Sequence, residues 1–303
     1  MNILVGVNPD DAGDDALALA ALLAHLTRAR LVLTHIHPPP FEYPSLSPVD
    51  AEWSAFVEER ASAAVDRART ILADVWGVHD VVTTTAAHPS RGRGLLKSER
   101  EWDARIIVVG PAPGGDKGHI SMGSVADRLL HGSSAAVALA PEGFRDTAPD
   151  HLRRIIVGFR DGEESELALR TALRLSTMSE ITVELLTLVL RPTRMIGART
   201  RRDAEQAFVE AMTRRASELQ AATLASVGEN NIESSVVVGD TTDRALSRFH
   251  WSDGDLLCLA SSVEGPLHRV VLGDMTHKIL RASDVPAIVL PRRFELHAGE
   301  SSA

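Results

Sequence analysis

Glycines gather in one stretch of the chain, Gly110-Pro111-Ala112-Pro113-Gly114-Gly115-Asp116-Lys117-Gly118-His119-Ile120-Ser121-Met122-Gly123-Ser124. It follows the apolar run Ile106-Ile107-Val108-Val109 and ends where a helical pattern begins. Free backbone N–H groups at a helix start, together with the positive end of the helix dipole, favour an anion such as a phosphate. Gly123 lets a ligand approach the backbone, and the Ser124 hydroxyl is a donor for a phosphate oxygen. The same residues also read as a surface loop with Ser124 as an ordinary N-cap. Other chemistry is sparse. His35 and His37 share a strand face with no third metal ligand in sight, so strand-end histidines are the simpler account. Lys117 is preceded by Asp116 and not followed by Ser or Thr, which removes the P-loop reading. Ser124 has no His/Asp partner identifiable from sequence and no nucleophile-elbow motif.

A loop of this kind works only if a sheet positions it. Short β-rich runs at about 2–7, 30–36, 80–86, 105–110 and 136–140 alternate with helical patterns at about 12–28, 50–76, 92–102 and 123–132. The runs are continuously apolar or β-branched, as parallel strands covered on both faces require. Helix one sets Leu19, Leu22, Leu23 and Leu26 on one face, and helix two does so with Trp53, Val57, Ala64, Ala68, Ile71 and Val75. Trp53, Phe56 and Trp76 read as core or interface residues. The pattern then repeats, with strands near 153–159, 181–188, 233–238, 254–260 and 285–290 and helices near 163–177, 203–227, 240–250 and 273–282.

The repeat is visible residue by residue. Ile3-Leu4-Val5-Gly6 is answered by Ile155-Ile156-Val157-Gly158, Met122-Gly123-Ser124 by Leu272-Gly273-Asp274, and Val137-Ala138-Leu139-Ala140-Pro141 by Ala287-Ile288-Val289-Leu290-Pro291. A period this long is a whole domain, not a solenoid unit. The expected fold is α/β, with two repeated five-stranded parallel-sheet domains of Rossmann-like or flavodoxin-like order. They cover residues 1–143 and 152–293, followed by a polar tail, 294–303. Pro141 to Arg153 is read as a short linker. Each half is expected to hold its own sheet, and strands 136–140 and 285–290 to pair the halves about a pseudo-twofold axis. In such sheets ligands bind beyond the carboxyl ends of the strands at the switch point. That selects Asn8 after strand one, Ile36 at the end of strand two, and the Gly110–Ser124 loop after strand four.

Composition narrows the function classes. The net charge of −9 and a pI of about 5.7 disfavour nucleic-acid and anionic-membrane partners. No apolar run reaches the length of a membrane span, and Met1-Asn2-Ile3-Leu4 enters a strand without a signal-peptide pattern. The lone Cys258 in an apolar run fits a core residue in a reducing cytoplasm.

The chain resembles the universal stress protein family, with two copies of that domain covering nearly all of it. The family's nucleotide motif is Gly, two residues, Gly, nine residues, Gly-Ser or Gly-Thr, working with an Asp after strand one. Here Gly110, Gly123 and Ser124 match at that spacing, while Pro113 replaces the middle glycine and Asn8 replaces the Asp. The resemblance implies a cytoplasmic stress-response role and binding of ATP or a related adenine nucleotide, with Mg as its companion. It sets Gly6 and Ile36 against the adenosine, Asn8 near the ribose, and Gly110, Gly123, Ser124 and Val125 around the phosphates. Pro113 has no N–H and a fixed φ, so Gly114 and Gly115 must supply what it lacks by a one-residue shift. Replacing Gly123 with Val is expected to abolish binding by filling phosphate space.

The second half departs further. Its corresponding positions are Ala260, Val263, Gly273 and Asp274, with Arg160 after the strand. A carboxylate where phosphate would sit repels it, so this half is read as a structural partner, with Arg160 and Asp274 expected to meet in the vacated pocket. No catalytic acid, base or metal cluster is recognisable, so the chain is read as a non-enzyme with at most weak ATP hydrolysis. The alternative is a nucleotide-free scaffold of the same fold with both sites degenerate. A homodimer of whole chains is compatible with either.

Overall fold

In a computed structural model the described residues are 1–8, 13–39, 48–191, 200–229, 232–261, 274–291 and 294, with the side chains of 48–50, 200–203 and 274 outside the description. The first half runs β1 (Asn2–Gly6), α1 (Asp14–Thr27), β2 (Arg30–His37), α2 (Pro48–Asp74), β3 (Val81–Ala87), α3 (Arg91–Glu101), β4 (Ala104–Val109), α4 (Ser124–Leu130) and β5 (Ala136–Leu139). After α5 (Phe144–Thr147) the order recurs as β6 (Arg154–Gly158), α6 (Glu163–Ser179), β7 (Thr182–Leu190), α7 (Thr200–Val227), β8 (Glu233–Gly239), α8 (Thr242–Leu246), β9 (Asp255–Ala260), α9 (Asp274–Arg281) and β10 (Ala287–Leu290).

Within each half all strand pairs are parallel, and the spatial order is the same, β3-β2-β1-β4-β5 and β8-β7-β6-β9-β10. The α/β fold of two repeated parallel units is therefore the one the alternating pattern predicts. The two fives are not separate sheets, however. β10 lies antiparallel to β5, joining them into one ten-stranded sheet. The pairing is reciprocal: Leu139 faces Ala287, Ala138 faces Ile288 and Val137 faces Val289. Ala138 and Ile288 occupy the same place in the two repeats, so a local twofold passes between them.

Strand periodicity divides the core. On β2, Leu31 and Leu33 face one apolar cluster with α1 and α2, while Val32 and Ile36 face the other with α3 and α4. Both clusters continue into the second half, through α6 on one side and α8 and α9 on the other. α1 carries more than the single leucine stripe: every residue from Asp15 to Ala24 is buried, because the helix has sheet on one side and α6 on the other. α2 buries Ala61, Ala64, Val65, Ala68 and Leu72, but Trp53 and Val75 of its expected apolar face are exposed, and so is Phe56, read as a core or interface residue. Cys258 is fully buried in β9, and desolvation pushes its thiol up to about 12.

Two local expectations change. The linker contains α5, whose Gly143 and Arg145 N–H groups donate to the Asp15 carboxylate of α1 at 2.9 Å each. Phe294, read as the start of a polar tail, is buried in the first cluster.

Candidate functional site

The carboxyl ends of β1, β2 and β4 open onto a cleft of about 500 Å³. Gly6, Asn8, Ile36, Gly110, Gly123, Ser124 and Val125 all line it. Its floor is buried and apolar. Gly6 of β1 sits where a Cβ would come within 3.2 Å of Leu95 and 3.5 Å of Val109, so glycine keeps this floor low. Ile36 is held by α3, whose Gly94 leaves only 2.6 Å between a would-be Cβ and the Ile36 Cγ2.

The glycine-rich loop forms one wall. Its neck is closed by Ala112 N–H donating to the Ser121 carbonyl at 2.9 Å. Pro113 opens a turn with Gly114 at φ +79°, the Pro-then-Gly order of a type II turn. Gly115 then passes so close to Ser121 that a Cβ would lie 2.4 Å from it. Gly114 thus takes the positive φ that Pro113 cannot, by the one-residue shift. The tip reaches the second half, where His119 Nδ1 lies 2.8 Å from Asp284 and Ile120 N–H donates to the Ser283 carbonyl.

At the loop's end Gly123, not Ser124, occupies the N-cap position of α4, with extended backbone and no side-chain cap bond. Ser124 begins the helix and its side chain is exposed. The first N–H groups of α4 therefore have no capping side chain. A Cβ on Gly123 would meet the Ala112 Cβ at 2.9 Å. A valine there would press on Ala112, at the loop's own neck.

Among the lining residues that escape the sequence argument are two arginines and a threonine. Arg91 opens α3, Arg128 lies on α4, and Thr34 is on β2. Arg128 lies one helical turn beyond Ser124 and Arg91 follows the end of β3, so both stand at carboxyl-end positions that the sheet rule selects. The Arg128 stem packs against Gly92, whose Cβ would approach it to 2.8 Å. Both guanidiniums are exposed and have no ion-pair partner among the described residues. Among the described lining residues the charged side chains are Arg91 and Arg128. A second cavity, of about 600 Å³, lies behind the loop tip against α8 and α9, but it mixes Asp116, Asp243 and Asp284 with His119, His277 and Arg281.

His35 is not in the cleft wall. Its Nδ1–H donates to the Val7 carbonyl at 2.8 Å, and its pKa is lowered from 6.5, first by burial and then by nearby cations including Arg91. The His37 ring nitrogen Nδ1 donates to the Pro38 carbonyl. Among the described residues no cluster of His, Cys, Asp or Glu is arranged to hold a metal.

In the second half, Gly158 corresponds to Gly6, but Leu259 leans over it so that a Cβ would lie 2.4 Å from Leu259 Cδ2. Leu259 thus covers Gly158 more closely than Val109 covers Gly6. Arg160 is exposed, with its N–H donating to Ser165 Oγ at 3.1 Å. Val263, Gly273 and the Asp274 side chain lie outside the described residues, and with them the expected Arg160–Asp274 contact.

Comparison with known proteins agrees with the repeat. The chain is 32% identical over 292 residues to the universal stress protein Rv2319c of Mycobacterium tuberculosis, covering 96% of this chain and 100% of that one. The universal stress protein Mb2346c of Mycobacterium bovis matches to the same extent. Among solved structures, a universal stress protein of Archaeoglobus fulgidus superposes with a TM-score of 0.62 at 15% identity, covering 96% of this chain and 98% of that one. The protein PA1789 of Pseudomonas aeruginosa superposes with a TM-score of 0.59 at 17% identity, covering 96% and 92%. The profile described as "Universal stress protein family" matches residues 1–141 and again 151–291, and on that double match the chain belongs to the universal stress protein family.

Proposed function

We propose that this chain is a regulatory, cytoplasmic binding protein of the stress response that takes one ATP or related adenine nucleotide in its first half, and that the second half serves as structural partner. The observation that carries this reading is the character of the cleft. An apolar floor, a glycine loop with uncapped helix N–H groups and two exposed guanidiniums suit a ligand that is apolar at one end and anionic at the other. The resemblance in Gly110, Gly123 and Ser124 narrows that ligand to an adenine nucleotide. Gly6 and Ile36 would face the adenosine, Asn8 the ribose, and Gly110, Gly123, Ser124 and Val125 the phosphates. Mg accompanying the nucleotide would bind its phosphates.

Calorimetric titration of the purified protein with ATP tests this, after mass spectrometry for nucleotide carried through purification. The expected result is one nucleotide per chain, with affinity falling as salt rises because exposed guanidiniums are screened, and binding lost in Gly123→Val. Two nucleotides per chain would overturn the reading of the second half as structural partner. No binding would favour the nucleotide-free scaffold.

A further inference from the structure

The glycine loop of the first half is not held by its own half alone. Beyond the neck at Ala112 and Ser121, its tip has two outside anchors. One is the linker: Gly118 N–H donates to the Glu142 carbonyl at 2.8 Å, and Glu142 N–H donates back to the His119 carbonyl at 3.0 Å. The other is the turn between α9 and β10 in the second half. There Ile120 N–H donates to the Ser283 carbonyl at 3.4 Å, and His119 Nδ1 lies 2.8 Å from the Asp284 carboxylate. Ile120 is only 4% exposed and lines the second cavity together with Leu246, Trp251 and Ala282 of the second half. Ser283 is buried, and its hydroxyl donates to the Val285 carbonyl while accepting from Val285 N–H, so the turn makes a firm seat. The repeat equates Asp284 with Ser134, by the same step that equates Ala287 with Val137. Ser134 is engaged within its own half by Glu99, whereas Asp284 reaches across to the other half.

Resting on the nucleotide reading above, we infer that Ile120 and Asp284 are positioning residues: the α9–β10 turn of the second half seats the glycine loop of the first in its ligand-binding shape. Only Ser121 and Met122 separate Ile120 from Gly123, so the seat fixes where α4 starts and where its first N–H groups stand at the cleft. A loop already in shape costs a ligand less ordering. An unseated loop is competent for only a fraction of the time, and the apparent Kd rises by the inverse of that fraction. Buried Ile120 is the main anchor, because the His119 and Asp284 side chains are exposed and an exposed pair is weak. Behind the tip the loop stands off from α8 and α9 across the cavity of about 600 Å³, so the seat is small enough for a ligand to bias. Such coupling is reciprocal: ligand in the first-half cleft must steady the second-half turn by as much as the turn favours ligand.

Hydrogen exchange of the full-length protein with and without ATP reads this coupling in the wild type. The Ser283 and Val285 amides, bonded to the Leu280 carbonyl and the Ser283 hydroxyl, should exchange about threefold more slowly with ATP, while amides of β8, at the far edge of the sheet, slow less. In calorimetry the Kd for ATP should rise about tenfold in Ile120→Ala and about twofold in Asp284→Ala, with Ile120→Val close to wild type. The ATP-dependent slowing at 283–285 should vanish in Ile120→Ala. Equal slowing at β8 and at 283–285 would report global stabilisation and overturn the inference, as would no slowing at 283–285 or an unchanged Kd in Ile120→Ala. Should Ile120→Ala lose its cooperative unfolding transition, Asp284→Ala and the wild-type exchange decide in its place. Failure of the wild type to bind ATP removes the nucleotide reading and this one together. ATP binding that leaves the α9–β10 turn unaffected removes this one alone.

Discussion

The His35 imidazole sits at the end of β2 in a place that penalises its charged form, chiefly by burial and then by Arg91, His37 and Arg60, against the opposing pull of the Val7 carbonyl. Its folded pKa lies below 6.5, so in acid the unfolded chain binds the proton more readily than the folded one. The stabilisation linked to the neutral ring is complete above the unfolded value and declines as pH falls from there through the folded value. The urea midpoint of the wild type should therefore drop between about pH 7 and pH 5 more steeply than that of His35→Gln, which keeps an N–H for Val7 but does not titrate. Parallel curves would show that His35 has no part in it. At this scale the sequence identified the loop residues, because glycine, proline and Ser124 carry their conformational meaning locally. Thr34 was invisible there, since a threonine in a β-branched strand is ordinary until the fold sets it at the cleft.

Elements are held to one another here by a few buried carboxylates. Glu99, near the end of α3, accepts from Ser133 Oγ, from Ser134 through N–H and hydroxyl, and from Ala135 N–H. It is 3% exposed and clamps the turn between α4 and β5 to α3. Since α3 and α4 are the two helices that carry Arg91 and Arg128, this clamp fixes the separation of the cleft's rim. Glu99→Ala should cost about 3 kcal/mol in chemical denaturation, because it removes several bonds to one buried charged group at once. A loss under about 1 kcal/mol would mean that water replaces the carboxylate. A similar network on the second half has Arg154 donating to Asp255 and Glu184 at 2.7 Å each, with the guanidinium pKa raised by those carboxylates. The strands were legible as apolar runs because both faces of this sheet are covered. α5 was not, since its cap is Asp15, far upstream in the chain, and short helices capped from a distance leave no local periodicity. The exposed Trp53 and Phe56 show a related limit: periodicity marks an apolar face without saying how much of it finds a partner.

At the scale of the whole molecule, the β5–β10 junction uses up the edge strand of each half, and both core clusters run through it. The described free edges of the sheet are β3 and β8. An additional chain therefore cannot join through the last strands, and a homodimer has to be built on helices or on those outer edges. The alternation and the repeat left a Rossmann-like and a flavodoxin-like strand order open within each half, and β3-β2-β1-β4-β5 is the first of these. The merger of both halves' strands into ten followed from a pairing that a list of strands does not contain. Because both partners of the junction belong to one polypeptide, its formation is a first-order event governed by a fixed tethered concentration, not by how much protein the solution holds. The Tm should be the same across a hundredfold change in protein concentration, and a Tm that climbs with concentration would instead reveal assembly between chains. A pairing that a two-chain protein would forfeit on dilution is, for this one, insensitive to abundance, so it survives when a cell makes only a few copies.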